Sequence, residues 1–176
     1  MLAALPGLLA ACASVPRTAP PAVFEPAWTL KGRLGVRTQS DSMSVHIVWK
    51  HRAESDEVLV TTPLGQGVAQ IGRSQNGAWL DIPNQAIRHA PDIETLTREA
   101  LGYVLPVTGL KWWVQALPEP GSDFARQVTD EGRLSRLEQR GWVIDYAQFA
   151  DNRPRRLTLT REDLVLRLVI DSWAIE

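Results

Sequence analysis

The chain is nearly free of cysteine: Cys12 is the only one in 176 residues. No disulfide can form within it, so its stability has to come from packing even in an oxidising compartment. Charge of one sign is missing as well. The 19 Lys and Arg are offset by 20 Asp and Glu, for a formal net charge of −1, and the two signs are interspersed. Without a basic block, nucleic acid is not an expected partner. No apolar run reaches the roughly 20 residues that a membrane-spanning helix requires. Catalytic signatures are absent too. The histidines are His46, His51 and His89, with no His-Glu-x-x-His spacing, and there is no Gly-x-Ser-x-Gly or glycine-rich phosphate loop. Asp92 and Glu94 read as a helix cap and a dipole partner, not a catalytic carboxylate pair. Asp145 and Asp171 alternate with apolar residues and are expected to face water. The expectation is a protein that is not an enzyme and holds no metal and no cofactor.

What is there begins at the N-terminus. Met1 to Ala11 is a short apolar run ending in Leu9-Ala10-Ala11-Cys12. Its length suits the apolar core of a secretory signal, about 7–15 residues. Leu-Ala-Ala-Cys resembles a bacterial lipobox, in which the cysteine is lipidated and becomes the first mature residue. Cys12 is therefore the expected lipidation site. No Lys or Arg precedes Arg17, so the usual basic n-region is missing, which a start further upstream would supply. The competing reading is a buried N-terminal element with a core cysteine. Its extreme terminal position and the Pro-rich stretch after it argue against that. Two or more acyl chains give stable membrane attachment. The residue after the cysteine is Ala13 rather than Asp, which by resemblance to bacterial sorting signals favours the outer membrane. Residues 12–27 form the lipidated cysteine and a Pro- and Ala-rich tether. Residues 28–176 are long enough for one domain with a real core.

From Trp28 the dominant period is two. Trp28, Leu30, Leu34 and Val36 share one face, opposite Lys31, Arg33 and Arg37. Met43, Val45, Ile47 and Trp49 repeat the pattern against Ser44, His46 and Lys50. Val58, Val60 and Thr62 continue it, with Leu59 making that strand apolar on both sides. Val68 to Gly72 reads as the return strand of a hairpin, and Ala78–Ile82 and Gln85–His89 are shorter candidates. Two helical windows follow. Asp92 caps the first, which carries Ile93, Leu96, Ala100 and Leu101 on one side and stops at Gly102. The second follows Pro106, with Leu110, Trp113, Val114 and Leu117 at helical spacing, and ends at Pro118. Strands then return through Arg126–Thr129, Arg133–Gln139, Trp142–Tyr146, Leu157–Leu159 and Leu164–Trp173. The expected fold is mainly β: a meander of roughly nine to eleven strands with two inserted helices. A sheet that long curls or closes, because twist and exposed edges disfavour a flat slab. The result is a curved antiparallel sheet, an incomplete, half-open β-barrel with helices covering an apolar cavity.

Several segments, in order, resemble the LolB family. They are Leu30-Lys31-Gly32-Arg33-Leu34, Val58-Leu59-Val60-Thr61-Thr62-Pro63-Leu64-Gly65 after Val48-Trp49, and Leu101-Gly102-Tyr103-Val104-Leu105-Pro106. Further on come Leu110-Lys111-Trp112-Trp113-Val114 with Leu117-Pro118, Gln139-Arg140-Gly141-Trp142-Val143-Ile144-Asp145-Tyr146, and Leu166-Arg167-Leu168-Val169-Ile170-Asp171-Ser172-Trp173. The resemblance runs from about Trp28 to the end, and the lipobox agrees with it. It implies an outer-membrane lipoprotein on the periplasmic face, held by its lipid. That protein accepts the acyl chains of client lipoproteins from a soluble periplasmic carrier, LolA, and inserts them into outer-membrane phospholipid. It is expected as a monomer. A leucine protruding from the Pro-Leu-Gly loop promotes insertion, which here makes Pro63, Leu64 and Gly65 the membrane-insertion loop. Family members often have a longer helix before the first strand, for which the space ahead of Trp28 is too small.

Each assignment has a plainer competitor. Leu64 sits between two ordinary turn residues, and its bland reading is a leucine folded back on its hairpin. The seven tryptophans fall mostly on apolar faces, where core packing is the simpler account. The candidate acyl-chain lining is Val45, Ile47, Trp49, Trp142, Ile144, Leu166, Leu168 and Trp173, and core and lining share one sequence pattern. Lys31, Arg33, Arg37, Arg153, Arg155 and Arg156 read as solvated surface, with an acidic carrier or lipid head groups as the alternative. The rival function is a structural or protein-binding lipoprotein with a filled core. An apolar cavity on the order of several hundred Å3 favours the receptor, and a filled interior favours the rival.

Overall fold

Alternating residues that must bury one face need a partner surface, and in this protein the sheet provides it by curving onto two helices. The computed structural model describes residues 24–176. The expected signal segment 1–11, the expected lipidation site Cys12 and the expected tether up to residue 23 lie outside the described residues. In chain order the elements are β1 (Trp28–Arg37), β2 (Ser42–Arg52), β3 (Ser55–Thr61), β4 (Gly67–Ser74), β5 (Gly77–Asp81), β6 (Arg88–Ala90), α1 (Ile93–Leu101), α2 (Val107–Trp113), β7 (Phe124–Val128), β8 (Leu134–Gln139), β9 (Trp142–Ala150), β10 (Arg153–Arg161) and β11 (Leu164–Ile175). The strands make one antiparallel sheet of 11, in the order β6-β5-β4-β3-β2-β1-β11-β10-β9-β8-β7.

The pairing of β1 with β11 joins two meanders in the middle of the sheet, with Trp28 opposite Ile175 and Arg37 opposite Val165. The free edges are therefore β6 and β7, the two strands that α1 and α2 connect. The curved sheet is a barrel left open between those edges, and the helices occupy its concave side. Gly32 lies where the β1–β11 register shifts, and a Cβ there would come within 2.4 Å of the Val169 carbonyl oxygen. Only glycine permits that close approach.

Antiparallel alternation gives the barrel two distinct ends. The β1–β2, β3–β4, β8–β9 and β10–β11 turns lie at one, which includes Leu64. The β2–β3, β4–β5 and β9–β10 turns lie at the other, with Trp28 and Ile175. The inward side carries the apolar phase: Trp28 and Leu30 from β1, Val45, Ile47 and Trp49 from β2, Leu157 and Leu159 from β10, and Leu166, Leu168 and Ile170 from β11 are all buried.

Helix α1 starts and stops where its sequence says. The Asp92 carboxylate accepts from the Thr95 amide at 2.7 Å, and Gly102 adopts φ 81° with its amide donating to the Arg98 carbonyl. Helix α2 is shorter than its apolar spacing predicts. It ends at Trp113, because Ala116 turns into the left-handed region at φ 59° and the Leu117 amide folds back to the Trp112 carbonyl. Leu117 thus lies beyond the helix.

Candidate functional site

The inward faces of β1 to β4, β10 and β11 meet α1 and α2 around an apolar cavity of about 60 Å3. Leu34, Ile47, Trp49, Val58, Val60, Ile71, Leu159, Leu166 and Leu168 supply its sheet wall, and Ile93, Leu105, Pro106, Val107 and Leu110 supply its helical wall. No polar side chain lines it. The volume is well below the roughly 300–1,000 Å3 of an ordinary ligand pocket. In this conformation the interior is close to filled.

Of the eight candidate lining residues, Ile47, Trp49, Leu166 and Leu168 come together at this cavity. Val45 and Ile144 are buried core residues beside it. Trp142 is buried against Trp113 at 6.4 Å between ring centroids and borders surface clefts instead of the cavity. Trp173 lies at the Trp28 end, edge-on to Trp28 at 5.1 Å. The helical wall was only partly legible in the sequence. Ile93 and Leu110 lie on the apolar sides of the two expected helices, while Val107, Leu105 and Pro106 were not singled out as wall and no helical residue was expected to line the cavity.

The helices rest on the sheet through side chains. Glu94 of α1 accepts from the Thr108 amide at 2.9 Å, tying α1 to the start of α2. The Thr97 hydroxyl oxygen accepts from the Leu105 amide at 3.1 Å. The C-terminal end of α2 is held by β8 and β9. The Tyr146 hydroxyl donates to the Trp113 carbonyl at 2.9 Å, and the Trp113 indole donates to Gln139 Oε1 at 2.9 Å. Burial drives the Tyr146 hydroxyl pKa far above the ordinary tyrosine value, so it stays a donor at any working pH.

Surface clefts open at the Leu64 end. One of about 600 Å3 lies between the β1–β2 turn, the β10–β11 turn and the end of α1, with Asp41, Glu162 and Asp163 on its rim. Another of about 350 Å3 is lined by Glu94, Arg98, Arg140 and Arg161 over Trp113 and Trp142. Arg140 is bound to Glu119 at 2.8 Å. These clefts are larger than the cavity but mixed in character. The first sets Val36, Met43, Leu101, Tyr103 and Leu164 beside its acids, and the second sets charged side chains over two tryptophans. Neither has the wholly apolar lining of the cavity.

Leu64 occupies the tip of the β3–β4 turn and is 90% exposed. The turn closes through the Gly65 amide donating to the Thr62 carbonyl and the Thr62 amide donating to the Gln66 carbonyl. Gly65 takes φ 83°, a conformation that glycine adopts without strain. Leu64 is therefore not folded back on its hairpin.

A buried polar cluster sits at the opposite end. Asp56 is 3% exposed and His51 1%. The Asp56 carboxylate accepts from Trp49 Nε1 at 2.9 Å, His51 Nδ1 at 2.8 Å, and Arg73 Nε and Nη2 at 2.8 and 2.5 Å. Burial alone would push this carboxyl up. The hydrogen bonds from His51 and Arg73 and their charges outweigh it, so the pKa lies below the ordinary carboxylate value. The sequence carried a signal for this cluster, since His51 continues the inward phase of Val45, Ile47 and Trp49. Among the described residues no group of His, Cys, Asp and Glu is arranged to hold a metal ion.

Comparison with known proteins fits this architecture. A family model described as outer membrane lipoprotein LolB matches residues 26–173. An outer-membrane lipoprotein LolB from Thiobacillus denitrificans is 50% identical over 98% of this chain and 95% of its own. One from Pseudomonas aeruginosa is 36% identical over 84% of this chain and 74% of its own. Among solved structures, a LolA superfamily protein from Nitrosomonas europaea aligns with a TM-score of 0.51 at 11% identity, over 84% of this chain and 86% of its own. A DUF1329 family protein from Desulfovibrio piger aligns at 0.56 with 8% identity, over 86% of each chain. Those two likenesses speak for the fold, a single curved sheet with helices on its inner side. The family model and the sequence relatives together cover the whole described domain, and on them the chain belongs to the LolB family of outer-membrane lipoproteins.

Proposed function

We propose that the protein receives the acyl chains of lipoproteins from a soluble carrier of the LolA type and releases them into the outer membrane. Membership of an outer-membrane lipoprotein family supports the location. Cys12 supplies the lipid anchor and holds the domain at the periplasmic face. The chains enter between the sheet and the two helices. Leu64, with Pro63 and Gly65 shaping its turn, enters the bilayer.

The observation that carries this reading is the match of residues 26–173 to the LolB family. The resting interior of about 60 Å3 falls on the filled side of the size criterion, and its wholly apolar lining is what suits it to acyl chains once the helices move. Each methylene taken from water is worth about 0.8 kcal/mol, so a diacylated client free in the periplasm would be strongly disfavoured. Direct transfer between apolar sites avoids that state and needs no covalent step. The resting volume of about 60 Å3 requires α1 and α2 to move away from the sheet as a chain enters. Helices held by side chains alone can shift without breaking the β-ladder. Release follows when lipid is the better solvent for the chain.

The test mixes a client-loaded carrier, liposomes and the soluble form starting at Ala13, alongside its Leu64→Glu variant. The parent should take client from the carrier and deliver it to lipid. Leu64→Glu should accept client and deliver it poorly. If neither form takes client, the receptor reading fails. The small resting volume then stands as the mark of a structural lipoprotein with a filled core.

A further inference from the structure

The residues just ahead of β1 are packed, and they pack on α2. The Phe24 ring stacks on Trp112 with centroids 4.1 Å apart and planes 25° from parallel. The Glu25 amide donates to Gln115 Oε1 at 2.8 Å, and Gln115 Nε2 in turn donates to the Lys111 carbonyl at 3.0 Å. Gln115 is only 4% exposed. The Glu25 carboxylate pairs with Arg153 of β10 at 3.0 Å. One short segment thus touches the end of α2 and the sheet together. Helix α2 is therefore held from two sides, by Tyr146 and Gln139 on one and by residues 24 and 25 on the other.

We propose that Phe24 and Glu25 form a latch on α2 that sets how readily the apolar interior opens to an acyl chain. The inference rests on the receptor reading for its ligand, though not for its geometry. Helix α2 has 7 residues, too few to be stable alone, so its position depends on what grips it. Its first half provides Val107 and Leu110 to the cavity wall, and the latch grips its last residues. Releasing those lets α2 tilt and the wall recede. The same segment leads along the chain to Cys12, so the anchor and the helical wall are joined by residues 13–23. Phe24 and Glu25 are positioning residues: they touch the wall, not the chain inside it. A protein that opens rarely binds with an affinity reduced by its open fraction. Weakening the latch should therefore tighten binding, the opposite of what simple damage does.

The experiment uses the soluble form starting at Ala13, with an 18-carbon fluorescent polyene fatty acid as probe. Phe24→Ala should bind it about two- to twelvefold more tightly than the parent, the range an aromatic pair is worth, with faster association. Phe24→Tyr, which keeps the stack, should match the parent. Amide exchange over Val107–Trp113 should accelerate in Phe24→Ala while β1 and β11 stay protected. Unchanged or weaker probe binding by Phe24→Ala, or unchanged exchange in α2, would overturn the latch. If the parent binds no probe at all, the receptor reading fails, and faster exchange in α2 alone still establishes the latch as a structural clamp.

Discussion

Replacing Asp56 with Asn removes one charge from the buried cluster and keeps its shape. The carboxylate faces four donor atoms, two of them on Arg73. A carboxylate only accepts, so His51 Nδ1 carries the proton in this contact. An asparagine must turn its NH2 toward one of those donors and leaves the Arg73 guanidinium without its anion. Removing one member of a buried ion pair costs about 3–5 kcal/mol, and 1 kcal/mol moves Tm by about 2–4 °C in a domain of this size. The expected fall is roughly 6–20 °C, read by thermal and urea unfolding of the soluble form starting at Ala13. Acid should erase the difference. Because the folded-state pKa of Asp56 is lowered, its stabilisation is complete above the unfolded-state value of about 3.9. It is lost as pH falls from there through the folded-state value. Parent and Asp56→Asn should therefore differ most at neutral pH and converge in strong acid. A loss below about 1 kcal/mol at pH 7, or a gap that persists unchanged at the lowest pH, would refute the reasoning.

Leu64→Glu should leave Tm within about 2 °C of the parent, since exposed substitutions stay within about 0.5 kcal/mol, while binding to liposomes in a flotation assay falls. Gly72→Ala would place a Cβ within 2.4 Å of three atoms of the Trp79 indole. Trp79 is its cross-strand partner, so the urea midpoint should drop by the equivalent of about 1–3 kcal/mol, and a parent-like midpoint would contradict that packing. Leu168→Ala removes a wall residue that is 1% exposed. It should cost about 2–5 kcal/mol and enlarge the cavity, so an apolar dye should bind in greater amount to the variant that is still folded at low temperature. Equal dye capacity would mean that the wall collapses inward.

The two ends of the barrel divide the work on this reading. At one end His51, Asp56 and Arg73 lock β2, β3 and β4 together, and Trp28 stacks near His51 with centroids at 5.1 Å. The same end holds Phe24, which packs edge-on to His51 at 6.4 Å, so the proposed latch rests on a sheet corner that stays locked while α2 moves. The opposite end carries Leu64 at its turn tip, and the cavity lies under helices that hold the sheet only by side chains. A small resting cavity suits a receptor that must also let go. A pre-formed pocket of full size would bind a chain more tightly and compete with the membrane for it. Every chain accepted instead displaces helix packing, and closure restores it, which favours release once lipid is available.

The strands were legible because burial on one face imposes a period of two, and β2 shows it from Val45 on: Val45, Ile47, Trp49 and His51 point inward while Ser44, His46 and Lys50 point out, whereas Met43, expected on the inward face, is exposed at the start of the strand. The same phase carries His51 inward, which was not among the expectations from sequence, and the β2–β3 register sets it opposite Asp56. Two features follow from longer distances. The β1–β11 pairing joins residues near the two ends of the chain, and no local pattern records which strands will meet. The length of α2 depends on one left-handed residue, Ala116, whose side chain gives no sign of it. The cavity is the deepest case. Leu166 and Leu168 line it while Leu157 and Ile170 are core, yet all four obey one alternation on neighbouring strands. Periodicity encodes the direction a side chain points, and a cavity depends on how far the facing element stands off. Here the end of α2 is contacted by β8, β9 and Phe24, and the alternation of the wall residues records none of those contacts.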